Sequence, residues 1–372
     1  MFYLFLHDYT PGEAALNRLI AYAKSLKAAG TVATLVFVYP GKGFTKVPRS
    51  IEGVPAVCCW SFILRRKIFK YPIIRRKVKT LIGGTSEGDS ILLYGLQELL
   101  PLALERQSAG VKVFHERTEH PELFKIGGKL RDLGPEEYYG LCKKLDGLFV
   151  ISRALKSFYI GKGVDESRIS IINMIVDFSR FEGVEKNGKE RYIAFCGNIA
   201  SNDKDGVDRL LRAFAAVSPA FPDLRLHLAG KTSDEAAGNI ALMRELGIED
   251  KVKLAGFLMP EQIPQFLVNA SIAALCRPDS LQAEYGFPTK LGEYLASGTP
   301  VVVSSVGDIP LFLRNAENAM VVAPDDISGM ADAFSFLLRN PSKAAEIGAA
   351  GRKTALENFS SASQTQKITD CL

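Results

Sequence analysis

Short apolar runs of strand length alternate with longer amphipathic segments along the whole chain. In the segment 12–29, Leu16, Leu19 and Leu26 share one stripe, which is typical of a helix packed on a sheet. Further helices are predicted at 97–107 and 206–217. The alternation predicts an α/β protein with parallel sheets. The predicted strands are 2–6, 34–39, 56–59, 91–94, 111–114, 148–151, 169–172, 192–195, 224–228, 252–255, 271–275, 301–304 and 320–322.

The length of the chain predicts two domains, because 372 residues exceed what one hydrophobic core usually spans. The polar stretch 182–190 contains almost no apolar residue and is a predicted linker. It separates a first domain at 1–181 from a second domain at 190–356, and a helical tail follows at 357–372.

Cysteine usage and the amino terminus bear on the cellular setting. The six cysteines form no C-x-x-C pair and have no zinc-ligand spacing, and residues 1–6 are too short for a signal-peptide core. No apolar run approaches the ~18 residues of a membrane-spanning helix. These features predict a soluble protein in the reduced cytoplasm.

The net charge of +5 is concentrated in one segment. Residues 65–79 hold eight Lys or Arg with apolar residues between them, and no acidic residue occurs between Glu52 and Glu87. One interpretation is a surface that contacts anionic lipid at the inner face of the cytoplasmic membrane. Others are an acidic acceptor such as a lipid-linked pyrophosphate, or an ordinary solvated helix face. Nucleic acid is not expected, because no binding motif accompanies the charge.

The stretch GFPTKLGEYLASGTPVVVSS at 286–305 is the most informative segment for function. It is predicted to form a loop, a short helix and a buried strand. The helix start offers unpaired N–H groups and a partial positive charge, which together suit a phosphate. Lys290 lies in the first helical turn, and Glu293 follows on the same helix. Such a helix can hold a nucleoside diphosphate, with the N–H groups on the phosphates and the carboxylate on the ribose hydroxyls.

This segment resembles the retaining glycosyltransferases of family 4, which have the GT-B fold and an E-x7-E donor signature. Glu293 matches the second Glu of that signature. The first position falls on Tyr285, with Glu284 beside it. The wording PTKLGEYLASGTPVV resembles a subgroup in which the first Glu is often relaxed.

The resemblance implies two Rossmann-like domains facing one another across a cleft, with the tail 357–372 crossing back to the first domain. The second domain would bind a nucleotide-sugar, and the first a saccharide or lipid-linked acceptor of polysaccharide assembly. Sugar transfer would retain the anomeric configuration and need no metal or other cofactor. Asp203-Lys204-Asp205 spells D-x-D, but its place in a phosphate-contacting loop argues against a metal site.

The predicted donor site lies at strand ends of the second domain, where ligands of open α/β sheets bind. The family pattern matches Lys204, whereas Asn198 stands at the position of a family arginine that Lys290 replaces. Arg277 is expected to reach the donor or to pair with Glu284. The predicted donor-binding residues are Gly197, Asn198, Lys204, Gly230, Phe257, Leu258, Arg277, Glu284, Gly286, Phe287, Pro288, Thr289, Lys290, Leu291 and Glu293.

In the first domain, the segment 112–123 follows the family pattern of a loop that reaches the reacting sugar. His115 is predicted to be structural on the strand, and Glu116 to follow in the loop. Glu119 and His120 are the predicted catalytic residues here, with His120 extended and exposed before Pro121. Lys204 completes the catalytic set by neutralising the leaving diphosphate.

Thr10 and Gly12, after the first strand, are expected on the acceptor side. Two other classes of function stay open. The departures at Tyr285 and Asn198 keep open a non-catalytic sugar-nucleotide-binding or scaffold protein, and a GT-B-fold epimerase would share the same sheet pattern.

Overall fold

The computed structural model describes residues 1–41, 46–60, 70–124, 126–230 and 236–372. These form two compact units. The first unit contains residues 1–173 and 361–372, and the second contains residues 174–360. Each has its own largely parallel sheet with helices between the strands, so the predicted pair of Rossmann-like α/β units is confirmed.

The first unit is built on a sheet whose strands follow the predicted apolar runs closely. Its strands are β1 (Phe2–Leu6), β2 (Ala33–Phe37), β3 (Ser50–Ile51), β4 (Val54–Cys58), β5 (Ser90–Tyr94), β6 (Lys112–Arg117), β7 (Gly147–Val150) and β8 (Ile169–Ile171). Its first five helices are α1 (Ala14–Ala28), α2 (Lys70–Gly83), α3 (Leu100–Leu104), α4 (Pro135–Cys142) and α5 (Arg153–Gly161). The spatial order is β3-β4-β2-β1-β5-β6-β7-β8, with β3 antiparallel to β4 at the edge. The direction of strand addition therefore reverses between β1 and β5.

The second unit repeats this design with a sheet of six strands in the described residues. Its strands are β9 (Tyr192–Cys196), β10 (Arg225–Ala229), β11 (Val252–Gly256), β12 (Ile272–Leu275), β13 (Val301–Ser304) and β14 (Met320–Val322). Its helices are α6 (Asn202–Asp205), α7 (Val207–Val217), α8 (Ala237–Glu245), α9 (Ile263–Asn269), α10 (Leu281–Tyr285), α11 (Thr289–Ala296), α12 (Ile309–Phe312), α13 (Ile327–Arg339) and α14 (Pro341–Phe359). The order β11-β10-β9-β12-β13-β14 is parallel throughout, and it reverses between β9 and β12. Ligands of such sheets bind at the carboxyl ends of the strands beside that reversal.

The last helix, α15 (Ser361–Thr369), packs on α1 in the first unit, so the predicted return of the tail is confirmed. The backbone N–H of Asn173 donates to Gln364 of this helix at 2.9 Å. The units divide after Asn173 and after Ser360, rather than at 181 and 357. The reason is that Val176 donates its N–H to the Phe359 carbonyl at 2.8 Å, which ties the segment after 173 to the second unit.

Two segments of the first unit differ from their predictions. The predicted helix 97–107 is divided into a 3₁₀ turn (Gln97–Leu99), the five-residue α3 and a second 3₁₀ turn (Glu105–Ala109), which ends at left-handed Gly110. Strand β6 runs three residues beyond its predicted end, so Glu116 is a buried strand residue and not a loop residue. Of the basic segment 65–79, residues 65–69 lie outside the described residues, and 70–79 belong to α2.

A search of the described helices for a bilayer-spanning segment finds none with the required length and apolar character.

A buried ion pair connects α1 to the end of the first unit's sheet. Arg18 Nε donates to Glu116 Oε1 at 2.7 Å, and the two side chains are 4% and 0% exposed. The Tyr22 hydroxyl donates to the same oxygen at 2.9 Å. The remaining guanidinium nitrogens of Arg18 donate to the carbonyls of Ile172 and Asn173, the last residues before the second unit. Arg18 therefore fixes the point at which the chain leaves the first unit.

Removing the carboxylate from this pair should destabilise the first unit strongly. Glu116→Ala leaves the Arg18 guanidinium buried without its counter-charge, which typically costs about 3–5 kcal/mol. Denaturant unfolding of Glu116→Ala measures this cost, and Glu105→Ala, at an exposed position, should change stability by less than about 0.5 kcal/mol. Equal stability of the two variants would show that the pair contributes nothing.

Candidate functional site

The carboxyl ends of β9, β10 and β11 lie against one another with almost no space between their backbones. The Gly197 N–H donates to the Ala229 carbonyl at 2.8 Å, and the Gly230 N–H donates to the Gly256 carbonyl at 2.8 Å. A Cβ on Gly230 would stand 1.7 Å from the Gly197 carbonyl oxygen, so only glycine fits there. The loops at Gly197, Gly230 and Gly256 therefore form one continuous backbone edge.

Helix α11 is fixed against the end of β9 by Tyr294. Its buried hydroxyl accepts the Cys196 N–H at 2.7 Å and donates to the Cys196 carbonyl at 3.3 Å. On the other side, a Cβ on Gly292 would lie 2.4 Å from Val176 Cγ2, so glycine permits close packing. Pro288 precedes the helix, and its carbonyl accepts the Leu291 N–H at 3.1 Å. The N–H groups of Thr289 and Lys290, the first two helical residues, have no acceptor within the helix. The start of α11 is thereby held beside the end of β9.

Lys290 carries its ammonium group onto this edge. Its Nζ lies 2.5 Å from Asp205 Oδ2 and 5.1 Å from the centre of the Phe195 ring. A Cβ on Gly197 would stand 2.7 Å from the same Nζ, so the ammonium lies directly over the end of β9. Burial lowers the pKa of Lys290, as do the charges of Lys204 and Arg277, while Asp205 opposes that shift. Lys290 is a predicted residue of this site, whereas its partner Asp205 was not predicted.

One of the two acids of the D-x-D triplet at 203–205 belongs to this ion pair. The carboxylate of Asp205 is 5% exposed and engaged by Lys290, whereas Asp203 is exposed. Among the described residues, no group of three or more His, Cys, Asp and Glu side chains is placed to hold a metal ion.

Arg277 acts differently from its prediction. Its guanidinium is 2% exposed and donates to the carbonyls of Lys204 and Gln282, each at 3.1 Å. The expected pairing with Glu284 is wrong, because Glu284 is exposed and the guanidinium is taken up by backbone oxygens. Burial lowers the pKa of Arg277, and Asp205 opposes that shift. Arg277 therefore joins the loop before α7 to the loop that contains α10.

Lys204 is exposed on the four-residue helix α6, next to the Lys290–Asp205 pair. Gly206 ends that helix in a left-handed conformation with φ of +66°. The side-chain oxygen of Asn198, the residue at the position of the family arginine, accepts the Ala200 N–H at 3.0 Å. Asn198 therefore stabilises the turn after β9.

Glu293 is engaged by a residue that the sequence analysis missed. Arg180 donates one guanidinium nitrogen to Glu293 Oε1 and another to the Pro260 carbonyl. Both side chains of the pair are about one-quarter exposed, at 25% and 27%. Arg180 lies in the segment NMIVDFSRF at 173–181, just before the predicted linker, and its basic character was the available signal. The contact ties the predicted ribose carboxylate to the loop after β11.

The loop after β11 presents large apolar side chains outward. Phe257 is 51% exposed and Met259 is 48% exposed, and Leu258 between them is half-buried. Exposed side chains of this size beside a strand end are suited to covering a nucleobase.

Other predicted donor residues face the protein interior. The Phe287 ring is 5% exposed and packs edge-on against Phe312 at 5.8 Å. Leu291 is fully buried. Any contact of these two with a ligand would therefore be through the backbone, as would contacts of Gly286 and Pro288 beside them. Thr289, the first residue of α11, is half-buried.

The first-unit candidates are distributed between core and surface. The expectation that His120 is exposed is wrong: it is 6% exposed, its Nδ1 accepts the Glu122 N–H at 3.3 Å, and its ring meets Phe158 at 4.6 Å. Its extended backbone is as expected. Glu119 is half-buried. Thr10 and Gly12 lie in the loop before α1, where Gly12 has φ of +79°.

His115 is structural, as its strand position indicates. Its Nδ1 lies 2.8 Å from the Leu93 carbonyl, and its Nε2 lies 3.2 Å from the Tyr138 hydroxyl. Burial lowers the pKa of His115 to about 3, so the ring is neutral at ordinary pH.

Comparison with known families supports a glycosyltransferase domain in the second unit. Residues 190–340 match the family model described as Glycosyl transferases group 1. The chain is 30% identical over 224 residues to an MMP α-(1→4)-mannosyltransferase of Mycolicibacterium hassiacum, a match that covers 59% of this chain and 52% of the relative. It is 30% identical over 194 residues to a D-inositol 3-phosphate glycosyltransferase of Mycobacterium avium, covering 49% and 43%. The chain thus spans about half the length of these curated relatives.

Solved structures resemble the fold over nearly the whole chain. Sucrose-phosphate synthase of Thermosynechococcus elongatus has a TM-score of 0.76 at 17% identity, covering 99% of this chain and 97% of its own. HepE of Anabaena, solved with UDP and glucose, has a TM-score of 0.73 at 17% identity, covering 99% and 98%. The chain therefore has the GT-B fold.

The glycine that ends α6 should tolerate no side chain. Gly206→Ala places a Cβ 1.7 Å from the Cys276 carbonyl oxygen in a left-handed backbone, so we expect destabilisation of about 2 kcal/mol or more. Thermal unfolding measures the change. Gly238→Ala is the control, because the Cβ meets nothing within 4 Å on helix α8, and it should be neutral or stabilising. Equal unfolding temperatures would contradict the close contact at Gly206.

Proposed function

We propose that this protein is a glycosyltransferase whose second unit binds a nucleoside-diphosphate sugar. The observation that carries the proposal is the Lys290 ammonium, held over the end of β9 at the start of α11, with Glu293 on the same helix. The site lies at the β9–β12 reversal, the usual ligand position in such sheets. The group 1 domain match and the UDP-bound HepE structure support the same assignment.

In this proposal, the diphosphate binds where several positive groups converge. The N–H groups at the start of α11 and the ammonium of Lys290 face the phosphates, and Lys204 contributes from the exposed end of α6. Fixed charges of this kind stabilise the charge that develops on a leaving diphosphate. Removing one such donor typically raises the activation free energy by about 3 kcal/mol. The Asp205 carboxylate favours the charged form of Lys290 and so opposes the lowering of its pKa by burial.

Glu293 binds the ribose hydroxyls in this proposal, and Arg180 positions it. Arg180 engages Oε1, which leaves Oε2 of the same carboxylate to accept hydroxyl hydrogen bonds. Because Arg180 also binds the Pro260 carbonyl, the ribose carboxylate and the loop bearing Phe257 are held as one piece. Phe257, Leu258 and Met259 then cover the base.

We further propose the retaining chemistry of family 4, in the PTKLxEYLAxG-type subgroup, without a metal. The bond between the anomeric carbon and the β-phosphate oxygen breaks, and the acceptor hydroxyl attacks on the same face. Its proton passes to the departing phosphate. Support comes from Glu293 in the family signature and from lysines where a metal ion would otherwise neutralise charge. The acceptor is a saccharide or a lipid-linked saccharide of polysaccharide assembly.

Roles of Glu119 and His120 at the reacting sugar are part of the same proposal, with His120 acting from a buried position. Contact of residues 65–79 with anionic membrane at the cytoplasmic face stays a prediction.

Turnover of a donor panel tests the proposed function. The protein is incubated with UDP-, GDP-, dTDP- and ADP-sugars, and its melting temperature and the released nucleoside diphosphate are both measured. The proposal predicts stabilisation of about 5 °C or more at one hundred times Kd for one nucleotide, and release of that nucleotide with an acceptor present, also in EDTA. Thermal stabilisation without release of nucleoside diphosphate would support the scaffold alternative. Conversion of the donor sugar into its epimer would support an epimerase. The absence of both effects would contradict the donor site.

Removal of the Glu293 carboxylate should weaken nucleotide binding by about 10- to 100-fold, the range for hydrogen bonds to a charged group. The same factor should separate the nucleoside diphosphate from its 2′,3′-dideoxy analogue in the wild type. In Glu293→Ala that discrimination should vanish, because the carboxylate and the hydroxyls are partners. Titration calorimetry provides the values, with Glu245→Ala on exposed α8 as the control. Undiminished discrimination in Glu293→Ala would place the ribose elsewhere.

The contribution of Lys290 should disappear at alkaline pH. Because burial lowers the pKa of Lys290, the free protein loses this positive charge at a lower pH than an ordinary lysine would. Wild type should therefore bind the nucleoside diphosphate more tightly than Lys290→Met near neutrality, and the ratio of their affinities should fall toward one as pH rises through the lowered pKa. Calorimetry across pH measures the ratio. A ratio that stays constant into alkaline solution would mean that the Lys290 charge does not contact the phosphates.

A further inference from the structure

A strongly basic groove lies in the first unit, and none of the residues assigned to the donor lines it. Its volume is about 790 Å³, a size that accommodates a phosphorylated sugar. Four of its side chains are cationic, and none of the lining residues in the described part of the chain is acidic. The lining residues are Tyr71, Pro72, Arg75, Arg76, Lys79, Thr80, Lys129 and Leu130.

One wall of the groove is helix α2, and the other is a loop fixed to the sheet. Gln97 donates to the Gly127 carbonyl at 3.3 Å, and a Cβ on Gly128 would overlap the Glu98 carboxylate at 2.0 Å. The loop backbone therefore packs directly against the 3₁₀ turn (Gln97–Leu99) that follows β5. Lys129, on this loop, places its ammonium 5.1 Å from the centre of the Tyr39 ring. The cations on the two walls thus come from separately anchored elements.

The groove also lies where a Rossmann-like sheet binds its ligand. Tyr39 follows β2, and Glu98 follows β5, so the loop that carries Lys129 is at the carboxyl edge of the sheet near the β1–β5 reversal. Two acids are close by: Glu98 accepts a hydrogen bond from the Tyr39 hydroxyl at 2.7 Å, and the Asp8 carboxylate lies 3.8 Å from His7. Neither is among the lining residues, so the four cations set the charge of the groove wall.

From these observations we infer that the groove binds a phosphate group of the acceptor, as a phosphomonoester or a diphosphate. The inference rests on the proposed function, because it assigns the acceptor of that reaction to the first unit. Guanidinium groups of Arg75 and Arg76 match phosphate oxygens in paired hydrogen bonds, and Lys79 and Lys129 add point charges. Tyr71, Pro72 and Leu130 provide apolar surface for the part of the acceptor beside the phosphate.

Lysine acetylation with peptide mass spectrometry tests the inference on the whole protein. Inorganic pyrophosphate and glucose 6-phosphate are added at matched ionic strength, with glucose and sodium chloride as blanks. Acetylation of Lys79 and Lys129 should slow severalfold with either phosphate compound. Lys27 and Lys144 are exposed at the opposite, amino-terminal edge of the sheet, and their acetylation should not change. Equal protection of all four lysines, or protection of none, would overturn the inference.

A variant pair checks that the arginines take part. Arg75→Gln/Arg76→Gln should raise the pyrophosphate concentration that half-protects Lys129 by about tenfold or more. Arg244→Gln/Arg314→Gln removes the same charge from exposed sites of the second unit and should leave that concentration unchanged. An unaltered concentration in the groove variant would contradict the inference.

Two further arms separate the sources of phosphate and the two sites. Protection by phosphatidylcholine vesicles containing phosphatidylglycerol, without protection by the small phosphates, would make the groove a membrane contact and overturn the acceptor assignment. Lys204 reports on the donor site in the same digest. If a nucleoside diphosphate protects Lys204 while the small phosphates leave Lys79 and Lys129 unprotected, the proposed function stands and the groove inference is refuted. If the small phosphates protect Lys79 and Lys129 while the nucleoside diphosphate leaves Lys204 unprotected, the groove inference stands and the proposed donor site is refuted.

Discussion

The Lys290–Asp205 ion pair is the constraint on which the proposed donor site of the second unit depends. Burial of an ammonium group in a sheet edge favours its neutral form, and an uncharged lysine would be of little use to a diphosphate. Asp205 opposes that lowering of the Lys290 pKa and fixes the position of the ammonium through the ion pair. Because buried ion pairs contribute little to stability compared with apolar packing, the pair is consistent with the role proposed for Lys290 at the phosphates.

The packing around this pair follows from the same need. Tyr294 fixes α11 to the end of β9, and Gly197 leaves room for the ammonium where any side chain would displace it. Arg277 joins the loop that carries Asp205 to the loop that contains α10, because it donates to the carbonyls of Lys204 and Gln282. Arg180 performs the corresponding task for Glu293. The cations at this site therefore divide into two kinds. Arg277 and Arg180 bind backbone carbonyls and a carboxylate, whereas the proposed function assigns Lys290 and Lys204 to the phosphates.

Much of this organisation could be predicted from local sequence. The strands are apolar runs that tolerate little else, and the α11 helix is marked by Pro288 at its start and Gly298 at its end. Glu293 and Lys290 were predicted for this site because the motif and their positions on the helix agree. Contacts between distant residues could not be predicted. Arg180 meets Glu293 across 113 positions, and Arg18 meets Glu116 across 98. The burial of His120 and Glu116 depends on the same tertiary packing, which no local pattern records.

Hydrogen exchange read by mass spectrometry, with and without the nucleoside diphosphate of the active donor, tests the central claim most directly. If the diphosphate binds between the end of β9 and the start of α11, protection should appear in peptides covering 197–206 and 286–296, and in those covering the loop after β11. The amides at the amino-terminal ends of the same strands should exchange unchanged. Protection confined to the first unit, or absent from the start of α11, would contradict the account of Lys290 as the phosphate-binding cation.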